Sequence, residues 1–268
     1  MNEIGFCNEY TALKLRHAAL KERVANQIEL YTHLVEVVGP NLKASYMMLV
    51  GQLEHRVFEL KTEVSRWKRR FALRQQFLNR GEKPDLVGIE AELDEEFAEY
   101  LAEIKKHIEE IRKASDWVNS ESLSDEEATQ LRTAYLDAVK KLHPDINHDL
   151  PQAAANLWNQ IQDAYSKRNW TMVRLLSSIV DSVVSGDVDF KPSPGGIDEL
   201  RDACGRLEAK SREISEMTDR VRSTLPFTYE VLLEDKNLVA EKQGELKAQI
   251  DALEDCIRGY ERIWNDGE

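Results

Sequence analysis

His143, Pro144 and Asp145 follow directly after Lys140-Lys141-Leu142, in the stretch KKLHPDINHD. A histidine and a carboxylate this close suggest acid–base or metal chemistry, and His148 and Asp149 lie in the same loop. Such proximity is common in acidic loops, and His17, His33, His55 and His107 have no metal-like partner at a useful spacing, so a metal site is not expected. A structural reading is that proline disfavours helical geometry at His143 while Asp145 caps a turn. A recognition reading is that a rigid proline flanked by two polar side chains presents a carboxylate able to take a partner's arginine in a two-pronged bond. The other concentration of charge is Lys68-Arg69-Arg70, with Arg66 and Arg74 nearby. It could neutralise phosphates. A solvated helix face, or pairing with an acidic neighbour, is the stronger reading: residues 54–80 hold eight basic and three acidic side chains, and residues 82–113 hold eleven acidic and five basic. Carboxylates are too abundant on helix faces to mark a catalytic pair, and no glycine-rich phosphate loop, nucleophile elbow or Cys/His arrangement occurs. An enzyme is not expected, nor any cofactor.

The elements that position these residues are helical. The chain has 268 residues, 32% charged and 42% hydrophobic, with 12 Gly and 7 Pro, which excludes collagen-like, low-complexity and membrane-spanning classes. The start, MNEIGFCNEY, lacks the basic-then-apolar pattern of a signal peptide. Cys7, Cys204 and Cys256 are odd in number and far apart, suggesting neither disulfides nor zinc. A cytoplasmic protein is expected. The net charge of −13 argues against general nucleic-acid binding.

Apolar residues recur at helical spacing through Leu13, Leu20, Val24, Ile28, Tyr31 and Leu34, until Gly39-Pro40 interrupts. From Asn41 to Asn79 the series Val50, Leu53, Val57, Leu60, Val64, Trp67, Phe71 alternates three and four, a heptad seam. The short link predicts an antiparallel hairpin of these two helices. A third helix is expected over about 86–117, after the break Arg80–Pro84. Ser124 and Glu127 form a capping-box signature ahead of a helix ending at His143-Pro144, and another helix is expected over about 152–184. SGDVDFKPSPGG, residues 185–196, reads as a linker, and Leu225-Pro226 separates two final helices. No segment has the two-residue period of a strand.

Residues 131–174 resemble the J domain of the DnaJ-like co-chaperones. The resemblance rests on His143-Pro144-Asp145, on Ala134-Tyr135 eight residues upstream, on Lys140-Lys141, and on Trp158, Ile161, Ala164 and Tyr165, matching the family's aromatic-x-x-Ile-x-x-Ala-Tyr pattern. It covers about a fifth of the chain. It implies two antiparallel helices with Leu131, Ala134, Tyr135, Leu142, Trp158, Ile161, Ala164 and Tyr165 as their core. It also implies a DnaK-type ATPase chaperone as partner. Asp145 would be the main polar contact, with His143 and Pro144 shaping it, and Arg132, Lys140 and Lys141 steering the encounter. The chain departs from the family in lacking the first-helix signature, for which residues 93–117 are the candidate replacement. Leu136-Asp137 stands in place of the usual Arg-Lys, and there is no Gly/Phe-rich or Cys-rich module.

The expectation is therefore an all-α, elongated protein of helical hairpins, as antiparallel coiled coils, flanking a J-like pair. Its divisions would be a hairpin over 1–81, a long acidic helix over 82–120, the J-like module over 121–185, a linker over 186–196 and a second hairpin over 197–268. The expected function is a specialised co-chaperone whose helical arms select an unknown client or partner, with no membrane association. The alternative is a coiled-coil scaffold with an inactive J-like module. The sequence leaves open a homodimer through leftover apolar faces.

Overall fold

The computed structural model describes residues 3–119, 123–148, 150–184 and 194–266, and among these every regular element is a helix. In chain order they are α1 (Glu3–His33), a π-turn (Leu34–Val38), α2 (Gly39–Tyr46), a second π-turn (Met47–Gly51), α3 (Gln52–Asn79), α4 (Leu86–Glu96) and α5 (Ala98–Asn119). Then come α6 (Asp125–Leu142), α7 (Gln152–Ser166), α8 (Trp170–Ser177), α9 (Val180–Val183) and α10 (Pro194–Arg222). A short 3-10 turn (Phe227–Tyr229), α11 (Glu230–Glu234) and α12 (Lys236–Asp266) complete the chain. Among the described residues no helix is long and apolar enough to cross a membrane. Of the expected linker, residues 186–193 lie outside the described residues, and 194–196 open α10.

The hairpin expected over residues 1–81 does not form. Gly39-Pro40 lies inside continuous helix, because the π-turn before it loosens the ladder where the proline would break it. The Gly39 N–H donates to the Leu34 carbonyl, five residues back, a wider turn than the four-residue α repeat. The apolar seams are used, but with other partners. The structure divides into two compact units, Met1–Pro40 with Glu121–Thr228, and Asn41–Ser120 with Tyr229–Glu268.

In the first unit α1 pairs with α10, and the register rises on both helices, so they run parallel. Arg201 donates to Glu9, Arg16 to Glu208, and Phe227 lies against Gly39, where a Cβ would come within 3.5 Å of its ring. In the second unit α3 pairs with α12, also in parallel: Gln243 donates to the Leu49 carbonyl, Arg56 to Glu254, and Trp67 meets Trp264 edge-on at 6.1 Å. The hairpin expected over 197–268 is therefore also absent, since α10 and α12 each pack on an N-terminal helix in a separate unit. A heptad seam specifies an apolar stripe and not which stripe covers it.

One tight reversal does form. Gly81, at φ 72°, takes the left-handed conformation after α3, and Asp85 caps α4 by accepting from the Gly88 N–H. α4 and α5 then run back along α3. Arg66 pairs with Glu90 and Asp94, Arg69 with Glu92 and Glu96, and Arg70 with Glu90. Leu73 buries against Ile89, Leu93 and Phe97 beneath these charges.

The core of the first unit joins Leu20, Val24 and Ile28 of α1 to Leu131, Tyr135 and Leu142 of α6, Trp158 and Ile161 of α7, and Leu207 and Ile214 of α10. The single helix expected over about 152–184 is instead α7, α8 and α9. Arg168 adopts a left-handed conformation at φ 55°, and Asn169 recaps the chain by accepting from Met172 N–H, which turns Val173 and Val180 into the core.

Candidate functional site

The site is the loop between α6 and α7, built from its two helix ends. α6 starts at a full capping box: the Glu127 N–H donates to the Ser124 hydroxyl, and the Ser124 N–H donates back to the Glu127 carboxylate. The Ser124 N–H and hydroxyl, both donating to it, hold the Glu127 carboxyl below its usual range. α6 ends at His143, whose backbone is extended at φ −68°, ψ 128°, the conformation that the following proline favours. Asn147 closes the turn on both sides: its side-chain amide donates to the Lys140 carbonyl and its N–H donates to the His143 carbonyl. Ile146 points inward as part of the core, while Pro144 stays exposed at the tip.

His143 is mostly buried, edge-on against Trp158 at 5.2 Å between ring centres. Its Nδ1 accepts from the Asp145 N–H at 3.1 Å, which fixes the neutral imidazole with the proton on Nε2. Burial lowers its pKa, Asp145 works to raise it, and Lys210 lowers it further. The histidine is thus a packed bracket for the loop. Asp145 keeps its side chain 37% exposed, with an oxygen 2.9 Å from the Lys210 ammonium of α10.

The helix pair beneath the loop is held by aromatic stacking. Tyr135 and Tyr165 stack with ring centres 4.0 Å apart, and Trp158 lies on Tyr135 at 5.6 Å. Leu131, Tyr135, Leu142, Trp158, Ile161, Ala164 and Tyr165 are buried, and Ala134 is partly buried against the same cluster. α1 packs on α6, and α8 packs on both α6 and α7; residues 93–117, the candidate replacement, belong to the other unit.

The three basic groups singled out on α6 are each met by an acid. Arg132 donates to both oxygens of Glu29 at 2.5 and 2.9 Å. Lys140 lies 2.8 Å from Glu22 of α1, and Lys141 2.5 Å from Asp181 of α9. Glu29 is only 4% exposed, so its hydrogen bonds with Arg132 hold that guanidinium's pKa above the usual value despite burial. His33 lies beside them, its Nδ1 3.3 Å from the Tyr165 hydroxyl, and burial with nearby Arg132 lowers its pKa. Sequence reasoning missed Glu29, Glu22, Asp181 and Lys210, and weighed His33 only as a metal ligand. The one hint for Glu29 was its place between Ile28 and Leu30 on an apolar stretch.

In the second unit, the Arg66–Arg70 cluster is occupied by the acids of α4, so the unpaired basic face that phosphate binding would need is not offered by Arg66, Arg69 or Arg70. Among the described residues no three His, Cys, Asp or Glu side chains converge as metal ligands. Comparison with protein-family models, with curated proteins and with solved structures finds no match to this chain.

Proposed function

We propose that this protein is a J-type co-chaperone, in which the α6–α7 loop docks on a DnaK-type ATPase chaperone and stimulates its ATP hydrolysis. The chain itself hydrolyses nothing in this reading, which places it in the cytoplasm with its partner. The observation that carries the reading is the loop itself: a turn closed by Asn147, with Pro144 exposed at its tip and the Asp145 side chain 37% exposed beside it, one turn beyond Lys140 and Lys141. Asp145 is the group that accepts a partner's arginine, and Pro144 packs beside it. His143 acts indirectly, by holding the Asp145 N–H and so the orientation of its side chain. The remaining helices select the client or a further partner.

The test is single-turnover ATP hydrolysis by a DnaK-type chaperone from the same cell, with this protein and with Asp145→Asn. Stimulation by the native chain, lost in the variant, supports the reading. No stimulation by either folded form rejects it.

A second reading, a helical scaffold whose J-like module is inactive, is favoured by one observation. Arg132, Lys140, Lys141 and Asp145 all carry intramolecular ion pairs. Under that reading the loop is a structural turn, and Asp145→Asn leaves every binding property unchanged.

A further inference from the structure

The counter-charges on the loop and its preceding helix have the signs a docking partner would bring. Acids from α1 and α9 sit on Arg132, Lys140 and Lys141, and a base from α10 sits on Asp145. These contacts differ in kind. Glu29 is buried and belongs to the packing of α1 on α6. The Lys140–Glu22 and Lys141–Asp181 pairs involve carboxylates 55% and 80% exposed, and such pairs exchange readily for water or for another partner. The Lys210–Asp145 pair is the one that occupies the acceptor carboxylate, and both of its side chains are more than half covered. Lys210 also donates to Glu213 at 3.2 Å, one turn on, which holds its stem toward the loop. Its position is set by the α1–α10 seam, where Leu207 and Ile214 are buried on either side of it in sequence. From α1, Lys21 donates to Asn147 at 3.0 Å, so two lysines from the paired helices grip one five-residue turn.

We infer that Lys210 is an intramolecular stand-in for the partner's arginine, and that α10 thereby holds the loop in a closed form which the chaperone, or a partner that shifts α10, must open. This rests on the proposed co-chaperone function. In energetic terms, docking must first break the Lys210–Asp145 pair, so the apparent affinity is lowered by the fraction of molecules in which the carboxylate is free. A partly shielded pair of this kind corresponds to about a 3- to 10-fold weakening. A regulator of this protein would act at the α1–α10 seam and need not touch the loop.

The experiment titrates the full chain into single-turnover ATPase assays with Lys210→Ala, Lys210→Arg and Lys210→Ala/Asp145→Asn beside the native protein. Amide hydrogen exchange over residues 143–147 is followed without chaperone. Lys210→Ala keeps a good helix former at that position, so the fold persists. The expected result is a half-saturating concentration about 3- to 10-fold lower for Lys210→Ala than for the native chain, with the maximal rate unchanged. Faster loop exchange accompanies it, Lys210→Arg restores the native value, and the double variant does not stimulate. An unchanged half-saturation with native stimulation intact overturns the inference alone. A raised half-saturation also overturns it, by making Lys210 a docking group. If no form stimulates while Lys210→Ala still quickens loop exchange, the proposed function falls and the inhibitory role falls with it.

Discussion

Two basic helix segments of this chain meet their counter-charges in different ways. On α3, Arg66, Arg69 and Arg70 face a run of acids on α4, joined to it by one short turn, and two of the three arginines each hold two carboxylates. Removing any one acid leaves the rest of the network in place. On α6, Arg132, Lys140 and Lys141 each meet a single carboxylate, drawn from α1 or α9, more than thirty residues away in the chain. The first arrangement is local and redundant, and it pins a hairpin. The second is one-to-one and non-local, and where its carboxylates are exposed, at Lys140 and Lys141, the charges can be traded for those of another molecule, whereas Arg132 on buried Glu29 is fixed by packing. The sign of a surface is therefore a poor guide to its use, whereas the redundancy of its pairing, taken with the exposure of the carboxylates, separates a structural patch from an exchangeable one.

The comparison is broken most severely by removing the stack that supports the exchangeable side. Tyr135 is fully buried between Trp158 and Tyr165, so Tyr135→Ala is expected to cost about 3–5 kcal/mol, read by urea denaturation. Next comes Arg132→Ala, which leaves the buried Glu29 without its partner. A loss of about 2 kcal/mol is expected, and Glu29→Gln in the same chain should recover part of it.

A graded loss should follow acidification. The pKa values of His33 and His143 are lowered from 6.5 in the folded chain, both mainly by burial. The unfolded chain then binds more protons, so stability is complete above pH 6.5 and falls as the pH drops below it. Thermal melts down to about pH 5 should show this slope in the native protein, and His33→Gln/His143→Gln should flatten it. The smallest effect belongs to the redundant side. Arg69→Ala should change stability by less than about 1 kcal/mol, and that change should shrink further in molar salt. A larger loss there would remove the distinction between the two segments.

What could be read in the sequence was local. The α6 start at Ser124, its end at Pro144 and the apolar stripes of α6 and α7 that became the Tyr135–Tyr165 stack are each encoded within a single helix and its ends. So is the match of basic α3 to acidic α4. Pairings at long range were not readable. Val50, Val57, Leu60 and Val64 form an apolar stripe that any similar stripe could cover, and the actual cover, Leu246 and Ile257, lies far along the chain. Gly39-Pro40 misled because the usual rule assumes α-helical spacing, and the π-turn ahead of it relaxes that spacing. Lys210 had no sequence signal at all: one lysine among many on a charged helix reaches the loop because of where α10 packs.

The parallel pairing of α1 with α10 and of α3 with α12 has a consequence for the newborn chain. Arg16 and Glu208 are 192 residues apart, so a ribosome adding about 5–20 residues per second leaves the N-terminal seam without its cover for roughly 10–40 s. The stripe from Val50 to Val64 likewise lacks its cover until Leu246 and Ile257 are made. Each seam closes only when distant stretches of chain meet, which makes folding slow by topology. A nascent polypeptide in that condition carries uncovered apolar surface, the condition that makes incomplete chains prone to aggregate.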